Sequence, residues 1–285
     1  MDNGDHYTQR LYNNFAVFND TTNDENLITT LADWYTMGWR HDGGSEYHAI
    51  PRQNERSNLW VKDGVLYMRQ KGHSKGSEEP VSVAEINTRR SDILYGSFRI
   101  RNKAKGGSVA GFFVYYNDTQ ESDIELLTSG TTGSELLYTN HPAYDPKTNT
   151  IVPGTSFRHR VETPISEFQD HRLDWTPDAT HFYHNNRLTR KIEVNVPSHV
   201  TTNIFPPPHR INIWANNGSW SGPPATKDVT MAIKSIRLYF NTTASNAGND
   251  TEFNAACERV GGVGNGSAGE GQVSERESRE SQAGG

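Results

Sequence analysis

A chain of 285 residues with 33% hydrophobic side chains and a mean hydropathy of −0.78 offers no apolar run near the ~20 residues of a membrane span. Its formal net charge is −6, of which residues 244–285 supply −4, with seven acids against three arginines, leaving −2 for the rest. A body so nearly neutral excludes an electrostatic case for nucleic acid, an anionic membrane or an acidic polymer as partner. The single cysteine, Cys257, excludes an intrachain disulfide and a thiolate metal cluster. Against this polar background stand six Trp, twelve Tyr and eleven Phe. That balance suits a sheet with one buried face and one wet face that stacks on sugar rings.

Residues 1–30 have no clear period and read as an N-terminal segment wrapping around a domain. Leu59-Trp60-Val61 and Val65-Leu66-Tyr67-Met68, joined through Lys62-Asp63-Gly64, predict a hairpin. Val83 to Thr88 and Gly96 to Arg101 alternate as strands, and Val109 to Tyr116 is dense enough in aromatics for a strand buried on both faces. His141 to Gly154, rich in Pro, Asn and Asp, reads as a long surface loop near a site. His171 to Trp175 and Thr180 to Tyr183 are strands around a Thr176-Pro177-Asp178 turn, and Asn185-Asn186 turns the chain into Arg187 to Val196. Pro206-Pro207-Pro208 is a stiff connector to the strand Arg210 to Trp214, and Met231 to Phe240 is the last strand. Trp34 and Trp39 fit either a core or an open groove.

No long 3.6-residue apolar period occurs, and strands recur every ~8–12 residues between turn signals. The expected architecture is all-β: a two-sheet antiparallel sandwich over residues 31–243. Residues 244–285, Gly/Ser-rich and acidic, are expected to be disordered.

Between Val109–Tyr116 and the Pro-rich loop lies Glu121-Ser122-Asp123-Ile124-Glu125. On a strand, Glu121, Asp123 and Glu125 share one face while Ser122, Ile124 and Leu126 take the other. Three like charges facing together repel, which favours a ligand, a metal or a reaction over a merely solvated face. A retaining glycosidase needs two carboxyls ~5–5.5 Å apart, one to attack the anomeric carbon and one to protonate the departing oxygen. Glu121 and Glu125 have Cα atoms about 13 Å apart on an extended strand, a gap that two long side chains leaning together on a curved sheet can largely close. Asp123 between them can bond the nucleophile and set which Glu is ionised.

Other candidates are weaker. His181 and His184 fall on opposite strand faces and make a poor metal pair. His141 and His171 read as loop or edge histidines rather than bases. Gly262-Val263-Gly264-Asn265-Gly266 mimics part of a nucleotide loop without a flanking strand or helix. Neither a metal nor another cofactor is expected.

Glu121 to Glu125 resembles the Glu-x-Asp-x-Glu signature of glycoside hydrolase family 16 in its form without a β-bulge. The flanking segments follow the same order: Ala84-Glu85-Ile86-Asn87-Thr88, Tyr95 to Arg101, Gly111-Phe112-Phe113, His171 to Asp178, Ile211-Asn212-Ile213-Trp214 and Met231 to Tyr239. The resemblance covers roughly residues 30–240 and implies a concanavalin A-like jelly roll that cleaves or transfers β-glucan-type chains with retention. It makes Glu121 the nucleophile, Asp123 its helper and Glu125 the general acid/base, and it implies substrate contacts from Glu85, Asn212 and Trp214. Three positions depart from the family pattern. Ser122 replaces an aliphatic residue, which would loosen packing behind the catalytic strand; Asn87 replaces an Arg that contacts sugar; Lys234 stands where some relatives bind calcium, so no calcium site is expected.

The expected partner is a polysaccharide, bound by a monomer. A lectin-like sandwich without turnover and a cell-wall transglycosylase are the alternatives. Six Asn-x-Ser/Thr sequons, at Asn19, Asn117, Asn217, Asn241, Asn249 and Asn265, favour a secreted or cell-wall protein, although the polar start Met1-Asp2-Asn3-Gly4-Asp5 is not an export signal.

Overall fold

The computed structural model describes residues 7–18, 31–44, 49–128, 135–148, 150–199, 209–218 and 220–242. The strands are β1 (Gln9–Asn14), β2 (Trp34–Thr36), β3 (Arg40–His41), β4 (Arg52–Asn54), β5 (Leu59–Lys62), β6 (Val65–Gln70), β7 (Val81–Thr88), β8 (Ile93–Lys105), β9 (Val109–Asn117) and β10 (Gln120–Leu127). They continue as β11 (Glu135–His141), β12 (Tyr144–Asp145), β13 (Thr150–Ile151), β14 (Ser156–Arg160), β15 (Gln169–Trp175), β16 (Thr180–His184), β17 (Arg187–Ile192), β18 (His209–Trp214) and β19 (Val229–Thr242). Among the described residues, helix is confined to two 3-10 turns, Phe15–Val17 and Arg56–Asn58, and no helix is long and apolar enough to cross a membrane.

Two large sheets stack as a jelly-roll sandwich. One runs β17-β16-β15-β8-β19-β6-β5, with β1 also on β19; the other runs β14-β11-β10-β9-β18-β7-β4-β3, with β2 also on β7. Tight turns appear where the sequence demands left-handed backbone. Asp63 and Gly64 have φ of 49° and 70°, and Asn185 and Asn186 have φ of 46° and 63°. Each pair closes a two-residue hairpin whose turn twist matches its strands.

Alternation decides what each strand buries. On β10, Ser122, Ile124 and Leu126 lie inside the sandwich, at most 1% exposed. Beside them on the same sheet pack Phe112 and Val114 of β9 and, on the other flank, Leu136 and Tyr138 of β11, in one core with Phe182 and Leu173 of the opposite sheet. A fully buried side chain of this size contributes about 1.5–3 kcal/mol. Of the two tryptophans left open by the sequence, Trp39 is half-buried and Trp34 is core: it is 1% exposed and its indole N–H donates to Asn13 Oδ1 at 2.8 Å.

Several details differ from expectation. The sandwich is not wholly antiparallel, because β4 runs parallel to β7. Part of the N-terminal region forms β1, whose residues pair one for one with β19. The Pro-rich stretch after His141 contains the small hairpin β12–β13, a pairing too short to leave a sequence period. β17 stops at Ile192 rather than reaching Val196. Ser122 loosens nothing: its hydroxyl donates to Asn140 Oδ1 at 2.8 Å inside the sandwich. Asn140 in turn donates to the Val194 carbonyl at 3.1 Å. The connector at residues 206–208 and the tail from 243 onward lie outside the described residues, as do the sequons at Asn19, Asn249 and Asn265.

Candidate active site

β10 occupies the middle of its sheet, and its register sets out the floor of the site. Opposite Glu121, Asp123 and Glu125 stand Tyr115, Phe113 and Gly111 on β9, and His141, Thr139 and Leu137 on β11. Further across, β18 contributes Arg210, Asn212 and Trp214 to the same face, and β7 contributes Asn87 and Glu85 opposite Arg210 and Asn212. Register thus gathers all six predicted site residues, Glu121, Asp123, Glu125, Glu85, Asn212 and Trp214, on one sheet face.

Gly111 is needed there. A Cβ at this position would sit 2.7 Å from Asn212 Oδ1 and 3.0 Å from the Phe113 ring, closing the space between Glu125 and Asn212.

The three carboxyls differ in surroundings. Asp123 is 4% exposed, while Glu121 and Glu125 are half-buried and open to the face. Burial pushes Glu121 well above the usual carboxylate range and the neighbouring Asp123 charge pushes it further, with His141 opposing. Asp123 is also raised well above its ordinary value, first by burial and then by Glu125. Glu125 is pushed up to about 7 by burial, against the pull of His141 and a hydrogen bond from Trp220. The three therefore carry fewer than three negative charges at neutral pH.

Two side chains hold this set in place. His141 Nε2 lies 3.0 Å from Asp123 Oδ2, a donated hydrogen bond when Nε2 carries the proton. Trp220, 38% exposed, donates its indole N–H to Glu125 Oε2 at 3.1 Å. Both were missed as site residues. In sequence His141 reads as a loop or edge histidine, because the strand register that sets it beside Glu121 is invisible there. Trp220 stands in a loop of Asn, Gly, Ser and Pro, and a large exposed aromatic among turn residues was the available signal.

On the side of Glu85 lies a second polar group. Glu85 is 3% exposed, and burial raises its pKa against the opposing charges of Arg210 and Arg52. Arg52 stacks over Trp214 at 4.6 Å, with Trp39 at 6.0 Å, and burial lowers its pKa to about 10. Trp214 therefore meets the face together with a guanidinium. Arg210 lies over Tyr115 at 3.7 Å. It stands directly across from Asn87 on the neighbouring strand, so a guanidinium is present although Asn87 is not an Arg. The Asn87 and Asn212 amides lie near enough to Glu85 to favour its charge, yet outside good hydrogen-bond geometry. Glu85 Oε1, Asn212 Oδ1, both amide atoms of Asn87 and the Nε atoms of Arg52 and Arg210 are buried without a partner. Buried polar groups are normally satisfied, so six orphan atoms gathered beneath the half-buried Arg52, Arg210 and Trp214 make this the polar end of the face.

Comparisons with known proteins agree with the architecture. The model of the family Glycosyl hydrolases family 16 matches residues 46–235. A prokaryotic β-1,3-1,4-glucanase (lichenase) from a mouse hindgut metagenome superposes with a TM-score of 0.59 at 20% identity, covering 81% of this chain and 98% of its own. The Bacillus licheniformis β-glucanase gives 0.59 at 16% identity, with 81% and 97% covered. A LamA variant from Z. galactanivorans, in complex with laminaritriose and laminaritetraose, gives 0.57 at 16% identity, with 82% and 100% covered. Among curated proteins, Congo red hypersensitive protein 1 of Saccharomyces cerevisiae is 28% identical over 100 residues, which is 34% of this chain and 18% of that protein.

Proposed function

Because the chain belongs to glycosyl hydrolase family 16, we propose that it is an endo-acting, retaining glycosidase of β-glucan-type chains, with its chemistry on β10. The observation that carries this reading is the row Glu121, Asp123, Glu125 on an open sheet face, with Glu125 pushed up to about 7 and held by Trp220.

In this proposal Glu121, ionised while the proton shared with its neighbour rests on Asp123, attacks the anomeric carbon and forms the covalent glycosyl-enzyme, while Glu125, protonated below about pH 7, delivers its proton to the departing oxygen. Glu125, then a carboxylate, takes a proton from the incoming water, and Glu121 leaves. Asp123 shares the negative charge of the site and, anchored by His141, fixes the orientation of Glu121. On the side of Glu85 the half-buried Arg52, Arg210 and Trp214 meet the sugars, with Glu85 and Asn212 set just beneath them to complete the polar contacts. β-Glucan as the substrate class draws support from the glucanase neighbours and the laminari-oligosaccharides bound to one of them.

A second reading has its own observation. Trp220 leaves 38% of its surface exposed beside the acid/base, where its ring can stack on an incoming sugar, so transfer to a glycan would use the same residues with a sugar hydroxyl in place of water. We also propose export from the cell, which the exposed Asn117 and Asn217, each the asparagine of a sequon, support.

The test is reducing-end release with product sizing over a panel of β-glucans, comparing wild type with Glu121→Ala. One polymer cleaved by the wild type and not by the variant is the expected result. Longer products without new reducing ends identify transfer. Binding without turnover by both proteins refutes the enzyme and leaves a lectin-like sandwich.

A further inference from the structure

The His141–Asp123 contact joins an imidazole to a carboxylate that already faces a second one. One donor atom each from Glu121, Asp123 and His141 lies within 4.8 Å of the other two. Asp123 Oδ1 is buried without a hydrogen-bond partner, in a residue only 4% exposed. Chemically this is one nitrogen and two carboxylate oxygens converging from adjacent strands, with the fourth direction open to the sheet face.

We propose that Glu121, Asp123 and His141 form a binding site for one divalent transition ion of the zinc type, whose occupancy reversibly blocks the glycosidase by capturing its nucleophile. This rests on the assignment of Glu121 as the attacking group. A tetrahedral zinc ion with bonds of about 2.0–2.1 Å needs its ligand atoms about 3.4 Å apart. The 3.0 Å between His141 Nε2 and Asp123 Oδ2 is already close to that. The other separations lie within 4.8 Å, and the half-buried Glu121 side chain, longer and less enclosed than Asp123, is the ligand free to adjust. Two carboxylates and an imidazole fit zinc, nickel, cobalt or copper, whereas calcium and magnesium prefer all-oxygen shells and gain little from the imidazole nitrogen. His141 acts as ligand with its proton on Nδ1 and Nε2 free, the tautomer opposite to the one that donates to Asp123. Metal binding therefore breaks one hydrogen bond and replaces it with two bonds to the same ion. Glu125 stays outside the set, held by Trp220.

Cobalt(II) reports binding directly, because a four-coordinate site of mixed N and O ligands gives an intense visible absorption with no substrate present. The experiment titrates full-length wild type, His141→Gln and Glu121→Gln with Co2+, then displaces it with Zn2+. Reducing-end assays with and without Zn2+ and a chelator run in parallel on the wild type. The expected result is one Co2+ per wild-type chain, affinity lowered more than about tenfold in both variants, and Zn2+ inhibition that substrate competes against and chelator reverses. Absence of Co2+ binding overturns the proposal, as does binding unchanged in both variants, which would assign the ion to another site such as the histidines of β14–β16. If His141→Gln does not fold, Glu121→Gln alone decides. Should no polymer be cleaved by any protein, the function assigned above fails while the cobalt spectrum still decides the metal site.

Discussion

His171 sets a quantitative test of how the sandwich responds to acid. It lies on β15, 1% exposed, paired with Ile100 on one side and His184 on the other, its ring 5.5 Å from the His184 ring. Burial, and secondarily the His184 charge, lowers its pKa from 6.5 to about 3. Its surroundings include His159, which with His184 is also lowered by burial, and Asp170, which raises His184. A depressed folded-state value means that the unfolded chain takes up the proton first. The stability from neutral His171 is thus complete above about pH 6.5 and is lost as pH falls toward about 3. Between about pH 7.5 and 4.5 the two-state linkage expression gives a loss of about 2–3 kcal/mol from this one residue. Urea unfolding of wild type and His171→Leu at those two pH values isolates it, since every other titrating group is common to both proteins. The variant should lose about 2–3 kcal/mol less than the wild type on acidification, whatever its stability at neutral pH. Parallel acid slopes within about 0.5 kcal/mol would refute the assignment of His171 as a neutral, desolvated ring.

Replacing Trp220 by Phe removes the hydrogen bond that favours the Glu125 carboxylate; discounted for exposure, about 1 kcal/mol, the pKa of the acid should rise by about 0.7 and the alkaline limb of kcat/KM move up with it. A pH–rate profile with an unmoved or lowered limb contradicts that contact. Arg210→Ala deprives the Glu85 side of a guanidinium that covers Tyr115, and KM should rise about tenfold with kcat changed little, as for loss of uniform binding; a fall confined to kcat would place Arg210 in the chemistry instead. Ser122→Ala strands Asn140 Oδ1 in the sandwich interior and should cost about 1–3 kcal/mol in chemical denaturation. The double variant Ser122→Ala, Asn140→Leu should recover part of that loss, and strict additivity would show that the two side chains do not interact.

Local pattern carried much of the fold and the core of the candidate site. The two left-handed hairpin turns, at Asp63-Gly64 and Asn185-Asn186, follow from residue types that tolerate positive φ. The common face of Glu121, Asp123 and Glu125 follows from the period of a strand. What could not be read depends on pairing between distant segments. His141 meets Asp123 because β11 aligns with β10 in one particular register, and Arg210 faces Asn87 because β18 lies beside β7, more than a hundred residues away. Loop position was equally hidden: nothing local says that Trp220 turns toward Glu125 rather than solvent. Parallel pairing of β4 with β7 also lacks a local signal, since a three-residue strand looks the same in either direction.

The Ser122–Asn140 hydrogen bond bears on how this chain avoids folding wrongly. If β10 slid past β11 by one residue, the three acids would enter the apolar interior and Ile124 would face water, an error that hydrophobicity alone rejects. A slide by two residues keeps every face correct and would escape that penalty. Ser122 would then lie opposite Tyr138 or Pro142 instead of Asn140, leaving a hydroxyl and an amide buried without partners at a cost of about 1–3 kcal/mol each. An aliphatic residue at 122 would pack as well in either alignment. The polar pair thus serves as a proofreading mark for the strand that carries the acids, separating the one alignment in which Glu121 and His141 are neighbours from the nearest that buries the same surface.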